Sequence, residues 1–541
     1  MKRLLLIVAT LFVASSQFLP VRAQNSYNID PVSGEDYSLS CTALLIGKDA
    51  STDGSVMTSH SCDGNYRTWM RIEPSKTFAE GATDSIYWGL LHTEEAHDMR
   101  GTTLKGTIPA PSKDTYAYLN TGYPCLNEKQ LAIGETTFGG RREFQNKEGM
   151  FLIEELQRLA LQRTSTAREA IKLIGELVAE FGYGDGGECL TFADKKEVWQ
   201  LEIVGSGAEG KPSALWVAQR VPDDHVGISA NIPRIAEVDF NNSDYFMYSA
   251  DIKERAKSLG FWDGKEPFVF YKVINNEDRK NFGIRDFFVL NTLAPSLGLS
   301  MDDEELPFSV KPEKKVSPQQ ASAIYRETYE GTEWDMTKDL MVDVKERGSD
   351  EVIETIQSPI MNNWMSTDMR NLLNTIKPDL VAYNRTVSVC WCAYSHVIQV
   401  RGWLPDEIGA VCYMSVDNPA QSPRIPIYSG TIALPTEFDV CGQKRKRDDA
   451  ILWRFRETNR LAQVAWGKSR ESMEAEILRL EDKIFMEQPA VEKYAKELIE
   501  SGETQKAKEF ITNYTADFTG ATIYSWERLG EKYWEMFGRG F

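Results

Sequence analysis

Histidine is scarce in this chain, with five residues in 541. Because imidazole is the commonest metal ligand and the usual base near neutral pH, that scarcity argues against a histidine-rich metal centre. His92 and His97 stand five apart around Glu94 and Glu95, which misses the His-Glu-x-x-His spacing that puts two ligands on one helical face. A Gly-x-Ser-x-Gly nucleophile elbow is absent too. Positive charge is in deficit: 61 Lys and Arg against 80 Asp and Glu give a net charge of -19, which argues against nucleic acid as a partner. The basic run Lys444-Arg445-Lys446-Arg447 is followed at once by Asp448-Asp449 and reads as a solvated loop or helix start.

Long apolar runs are missing as well. The one candidate, residues 4–14, is shorter than the ~20 residues a membrane span needs, so no transmembrane anchor is expected. It follows Lys2-Arg3 and precedes Val21-Arg22-Ala23, the pattern of an export signal ending at Ala23, which implies a secreted or periplasmic protein. A lipid anchor on Cys41 fits poorly, because Leu39 stands one position too near the cysteine and a polar segment with Pro31 and Gly34 intervenes. Eight scattered cysteines are too few for a disulfide scaffold in a chain of this size. Cys390 and Cys392, two apart in a β-like run, read as small core residues on one strand face.

What is present is a large globular core, with 42% hydrophobic residues. The expected organisation is an export signal (1–23), a propeptide (24–40), a catalytic domain (41–448) and a helical C-terminal region (449–541). Residues 41–48 read as a buried strand and 55–59 as its hairpin partner across Asp53-Gly54. A further strand lies within 128–137, helices are expected over 148–162 and 166–181, and strands over 188–193, 197–204 and 214–219. Gly182 to Gly187 formally fits Gly-x-Gly-x-x-Gly, but it follows a helix and precedes a strand, the reverse of a dinucleotide site. A second strand group is expected over 385–392, 396–402 and 409–416. Helices followed by strands indicate an α+β class, helices layered on a largely antiparallel sheet.

The residue that opens the first strand carries the chemistry. If Cys41 were terminal, its α-amine, with an ordinary pKa of about 8, could take the proton of its own thiol, directly or through one water. Nucleophile and base would then come from one residue, and no histidine is needed. Proteolysis before Cys41 is required to free the amine. The rival readings are an ordinary buried cysteine, an Asp63-Gly64 turn, asparagines that cap backbone, and a His396 that is a satisfied strand residue.

Cys41-Thr42-Ala43-Leu44-Leu45-Ile46-Gly47-Lys48-Asp49-Ala50-Ser51-Thr52-Asp53-Gly54-Ser55 resembles the opening of the dipeptidase A-type family of N-terminal nucleophile hydrolases. The similarity continues in Leu126-Asn127-Glu128, Gly134-Glu135-Thr136-Thr137, Ala193-Asp194-Lys195 through Trp199 and Glu202, Ser229-Ala230-Asn231, and Ser395-His396-Val397-Ile398-Gln399. The resemblance implies a four-layer αββα sandwich with helical insertions, autocatalytic loss of a propeptide, and hydrolysis of dipeptides or short peptides without metal or organic cofactor. On the matching positions it implies Cys41 as nucleophile and base, Asp63 as the group orienting amine and thiol, and Asn231 and Asn127 as donors to the tetrahedral intermediate. Relatives often carry an arginine three residues before the aspartate, where this chain has His60. Substrate-carboxylate recognition then falls to His60, or to Arg67 or Arg234, each of which otherwise reads as an ordinary surface arginine. The nearest alternative activity is an N-acyl amide hydrolase of the penicillin V or bile-salt acylase type; a non-catalytic surface-binding protein on the same fold is the other. Self-association is left open.

Overall fold

The computed structural model describes residues 40–207, 213–275 and 279–539. The expected export signal and the propeptide up to residue 39 lie outside the described residues. Two antiparallel sheets face each other. The first has seven strands, in the order Ser309–Val310, Val226–Ser229, Ala43–Ile46, Val56–Asp63, Cys392–Val400, Ala410–Val416, Ile425–Tyr428. The second has eight, running from Phe246–Tyr248 through Ala214–Val221, Val198–Gly205, Gly187–Ala193, Ala132–Gly139, Leu126–Asn127 and Tyr118–Asn120 to Arg71–Glu73. The mixed α+β class expected from the sequence is present.

The strand Val56–Asp63 shows why the sheets stack. All eight of its residues are buried, so both of its faces meet other layers and no alternating polar stripe survives. Thr58 points to the second sheet, its hydroxyl 2.6 Å from that of Thr191. Ser59, one residue on and therefore on the opposite face, meets the Tyr325 hydroxyl at 2.8 Å. Helices cover the outer sides: Ile153–Arg163 and Ala167–Phe181 lie on the second sheet, Ile284–Leu293 and Pro318–Ile324 on the first. Ala167–Phe181 forms where the sequence reading placed it, because Thr166 and Glu169 close a capping box and Ile171, Ile174, Leu177 and Val178 bury one stripe. Gly175 lets it approach closely, since a Cβ there would lie 2.5 Å from the Trp216 ring.

Two expectations shift. The helix expected from 148 begins at Ile153, after a segment pinned to Tyr183 by the Phe151 bridge. The strands expected over 385–392 and 396–402 are one strand, Cys392–Val400. The preceding residues alternate like a strand, but side chains hold them elsewhere: the Ser388 hydroxyl donates to Asn418 at 2.6 Å and the Trp364 indole to the Ser388 carbonyl at 3.1 Å. Cys390 consequently lies outside the strand that holds Cys392. The C-terminal helices Ile451–Gln463, Trp466–Glu500 and Thr504–Phe537 pack on the Ala410–Val416 and Ile425–Tyr428 edge, where Trp526, fully buried, donates to Asn459. Their apolar faces join the same core as the two sheets.

Candidate active site

Cys41 lies one residue before a bridge between Thr42 and Ser61, at the entry to an interior strand of the first sheet. It is fully buried, and the peptide bond preceding it is gripped from both sides. Arg385 donates to the Ser40 carbonyl and, at 2.8 Å, to Asp63 Oδ2. Arg285 donates to the Cys41 carbonyl and, at 2.9 Å, to the Thr42 hydroxyl. The Ser40 hydroxyl donates to the Asp63 carbonyl and receives the Trp391 indole N–H.

Asp63 ends the strand Val56–Asp63 rather than making a turn with Gly64, and its buried carboxylate also accepts from the Ser61 hydroxyl at 2.9 Å. Asn231 adopts a left-handed φ of 64°. That conformation is uncommon outside glycine, though asparagine tolerates it, and it aims the side chain. Its amide donates to the Thr137 carbonyl at 2.6 Å, and its Oδ1 accepts from Arg285 at 2.7 Å. Cys41, Asp63 and Asn231 are therefore tied together through Arg285 and Arg385.

Other expected site residues sit elsewhere. Asn127 does not join this group: its amide donates to the carbonyls of Leu161 and Thr164, and its Oδ1 accepts from the backbone of Lys129 and Leu131. Both amide hydrogens are occupied in fixing a turn, leaving none for an intermediate. Arg67 and Arg234, read from sequence as surface arginines, are both buried. Arg67 donates to Asn120 and to the Thr121 carbonyl and stacks on Trp69 at 3.6 Å; burial lowers its guanidinium to about 10, still charged at neutral pH. Arg234 donates to the carbonyls of Asn281 and Pro307. The backbone amides of Arg234 and Ile235 donate to Glu202, whose carboxyl burial pushes up to about 7. Both arginines hold loops in place.

His60 is fully buried, with Nε2 3.3 Å from Glu135 Oε2. Cys41, His60 and Glu135 each bring a donor atom to within 4.8 Å of the others. A thiophilic divalent cation captured there would take the sulfur as a ligand. His60 faces His396 across paired strands, ring centroids 5.6 Å apart. His396 is a strand residue as expected but not a satisfied one: neither ring nitrogen has a hydrogen-bond partner, and burial holds it well below the usual imidazole range, hence neutral.

Burial pushes the Cys41 thiol well above its ordinary range, and the charges of Glu135 and Asp63 add to the effect. The sulfur accordingly rests as a thiol and needs a base beside it to become a nucleophile. Arg285 and Arg385 carry the geometry yet escaped the sequence reading. Each lies more than 240 residues from Cys41 in the chain, and Arg385 falls in a segment that reads as strand.

A cavity of about 310 Å³ beside this site is lined by Trp364, Met365, Tyr383, Thr386 and Trp391. Trp391 is the same residue that touches Ser40.

Comparison with known proteins finds relatives named as dipeptidases. A "Probable dipeptidase" from Latilactobacillus sakei is 25% identical over 409 residues, covering 72% of this chain and 74% of its own. A "Probable dipeptidase" from Salmonella dublin is 26% identical over 409 residues, covering 72% and 81%. "Dipeptidase A" of Lactobacillus helveticus is 22% identical over 415 residues, covering 74% and 77%. The model of peptidase family C69 matches residues 40–478, a span that opens on the gripped Ser40-Cys41 bond and takes in Asp63, Asn231, Arg285 and Arg385. The chain belongs to peptidase family C69 and is a peptide-bond hydrolase.

Proposed function

We propose that this protein is an exported cysteine-type dipeptidase whose two facing sheets form the N-terminal nucleophile sandwich and whose Cys41 becomes both nucleophile and base once the residues before it are removed. The supporting observation is the double grip on the Ser40-Cys41 bond, with Arg385 on one carbonyl and Arg285 on the next, beside the buried Asp63. Cleavage there leaves an α-amine on Cys41, adjacent to the Asp63 carboxylate. The amine takes the thiol proton, overcoming the effect of burial on the sulfur. The sulfur then attacks the scissile carbonyl, and Asn231, which Arg285 ties to the Cys41 backbone, keeps one amide hydrogen to offer the oxyanion. Collapse of the intermediate transfers the proton to the departing amine and leaves a thioester. Water, deprotonated by the same α-amine, hydrolyses that thioester and regenerates the thiol. Short peptides are the substrates; the carry-over from relatives named as dipeptidases supports that choice.

Intact mass and N-terminal sequencing of active protein test this reading: the chain should begin at Cys41. Cys41→Ala should show no turnover and keep the Ser40-Cys41 bond intact. Ordinary turnover by the alanine variant, or full activity with Ser40 still attached, would overturn the assignment.

A further inference from the structure

Glu135 is a buried carboxyl group beside Cys41. It reaches the nucleophile from Ala132–Gly139 in the second sheet, and it is fully buried. Oε1 accepts from the Thr137 hydroxyl at 3.1 Å. Oε2 has no hydrogen-bond partner, although His60 Nε2 lies 3.3 Å away, and neither ring nitrogen of His60 has one. Among the described residues no lysine or arginine forms an ion pair with Glu135. A neighbouring carboxyl, Glu188, is driven well above the ordinary range by burial and by Glu135 itself. A buried carboxyl oxygen without a partner opposes folding unless something compensates it, so a ligand that brings a charged hydrogen-bond donor fits the site better than one that does not.

We propose that Glu135 recognises the α-ammonium of the dipeptide, and thereby restricts this site to peptides with a free N-terminus. The inference rests on Cys41 being the nucleophile. In a dipeptide the ammonium nitrogen and the scissile carbonyl carbon are two bonds apart, about 2.5 Å. Sulfur attacks from about 3 to 3.5 Å, and a charge-assisted hydrogen bond from ammonium to carboxylate spans about 2.8 Å. A carboxylate serving that ammonium must therefore lie within about 9 Å of the sulfur, the reach of the three spans end to end. Glu135 meets the requirement, with its donor atom and that of Cys41 within 4.8 Å. An N-acylated substrate would set an uncharged group against the same carboxylate, which would stay buried and unpaired. His60 completes the arrangement: its ring makes no hydrogen bond to Glu135 Oε2, whereas an arginine at position 60 would pair with that carboxyl.

The test uses the processed enzyme and separates binding from turnover. Calorimetry compares L-alaninamide with N-acetyl-L-alaninamide, and kinetics compares Ala-Ala with N-acetyl-Ala-Ala. The wild type should favour the free amine on the order of 100-fold in both. Glu135→Gln should reduce that preference to a few-fold, chiefly by weakening the free-amine ligand, and His60→Arg should act in the same direction. Equal binding of acetylated and free ligands by the wild type overturns the proposal without need of any variant that might misfold. So does a Glu135→Gln preference equal to that of the wild type, or a loss that falls equally on both ligands. If the wild type hydrolyses neither peptide, the dipeptidase reading fails, and the binding ratio still decides whether Glu135 selects the ammonium.

Discussion

Replacing Arg385 with alanine strikes the most concentrated polar contact in the site. Its guanidinium holds Asp63 Oδ2 at 2.8 Å; the Asp63 side chain is fully buried and that of Arg385 is 16% exposed. Removing one partner of a buried pair typically costs about 3 to 5 kcal/mol, because the remaining charge stays desolvated. The partial exposure of Arg385 and the surviving Ser61 bond place the expectation near the lower end, about 3 kcal/mol. Asp63→Asn removes the charge with little change in size, so the double variant should recover part of the loss. A coupling of about 2 kcal/mol is expected from the cycle. Urea unfolding of wild type, both single variants and the double variant measures it, with intact mass reporting whether the Ser40-Cys41 bond is cut. Coupling below ~0.5 kcal/mol would show that the pair is no stronger than an exposed one, and would refute the argument that Arg385 stabilises the Asp63 charge.

Two further outcomes are expected. Hydrolysis should persist after exhaustive EDTA treatment and be abolished by thiol alkylation, while added cadmium should inhibit through Cys41, His60 and Glu135; loss on chelation with recovery on zinc would indicate a metallopeptidase instead. Glu202 carries its carboxyl at about 7 when folded against an ordinary 4.5, so the folded state holds the proton more tightly. Its contribution to stability is greatest below pH 4.5 and is lost as pH rises through 7, a change of about 3 kcal/mol. Glu202→Gln should therefore gain on the wild type across that interval in denaturation series at stepped pH, and a constant difference would contradict the burial argument.

The legible parts of this molecule were those whose signal is local. The strand beginning at Cys41 has an apolar run and a turn to mark it, and Ala167–Phe181 has its capping residues and its stripe. Cys41, Asp63 and Asn231 could be proposed because each stands in a recognisable block. What could not be read is the pairing across distance. Arg285 follows Gly283 at the start of a short helix, and nothing nearby announces that it reaches back to Cys41. Arg67 and Arg234 looked like surface residues because composition favours that default, whereas carbonyls supplied by remote loops satisfy them in the interior. The 385–391 segment misled because its alternation is genuine, while the side-chain contacts that override it come from residues 364 and 418.

The grip on the Ser40 carbonyl comes from a residue 345 positions further along the chain. A ribosome delivers the polypeptide from its N-terminus, so the sulfur of Cys41 emerges long before Arg385. Until some seven-tenths of the length has been released, Arg385 is not there to hold that carbonyl. Under the proposed mechanism the order of synthesis acts as a timer, and a truncated product of a broken message carries the cysteine without Arg385.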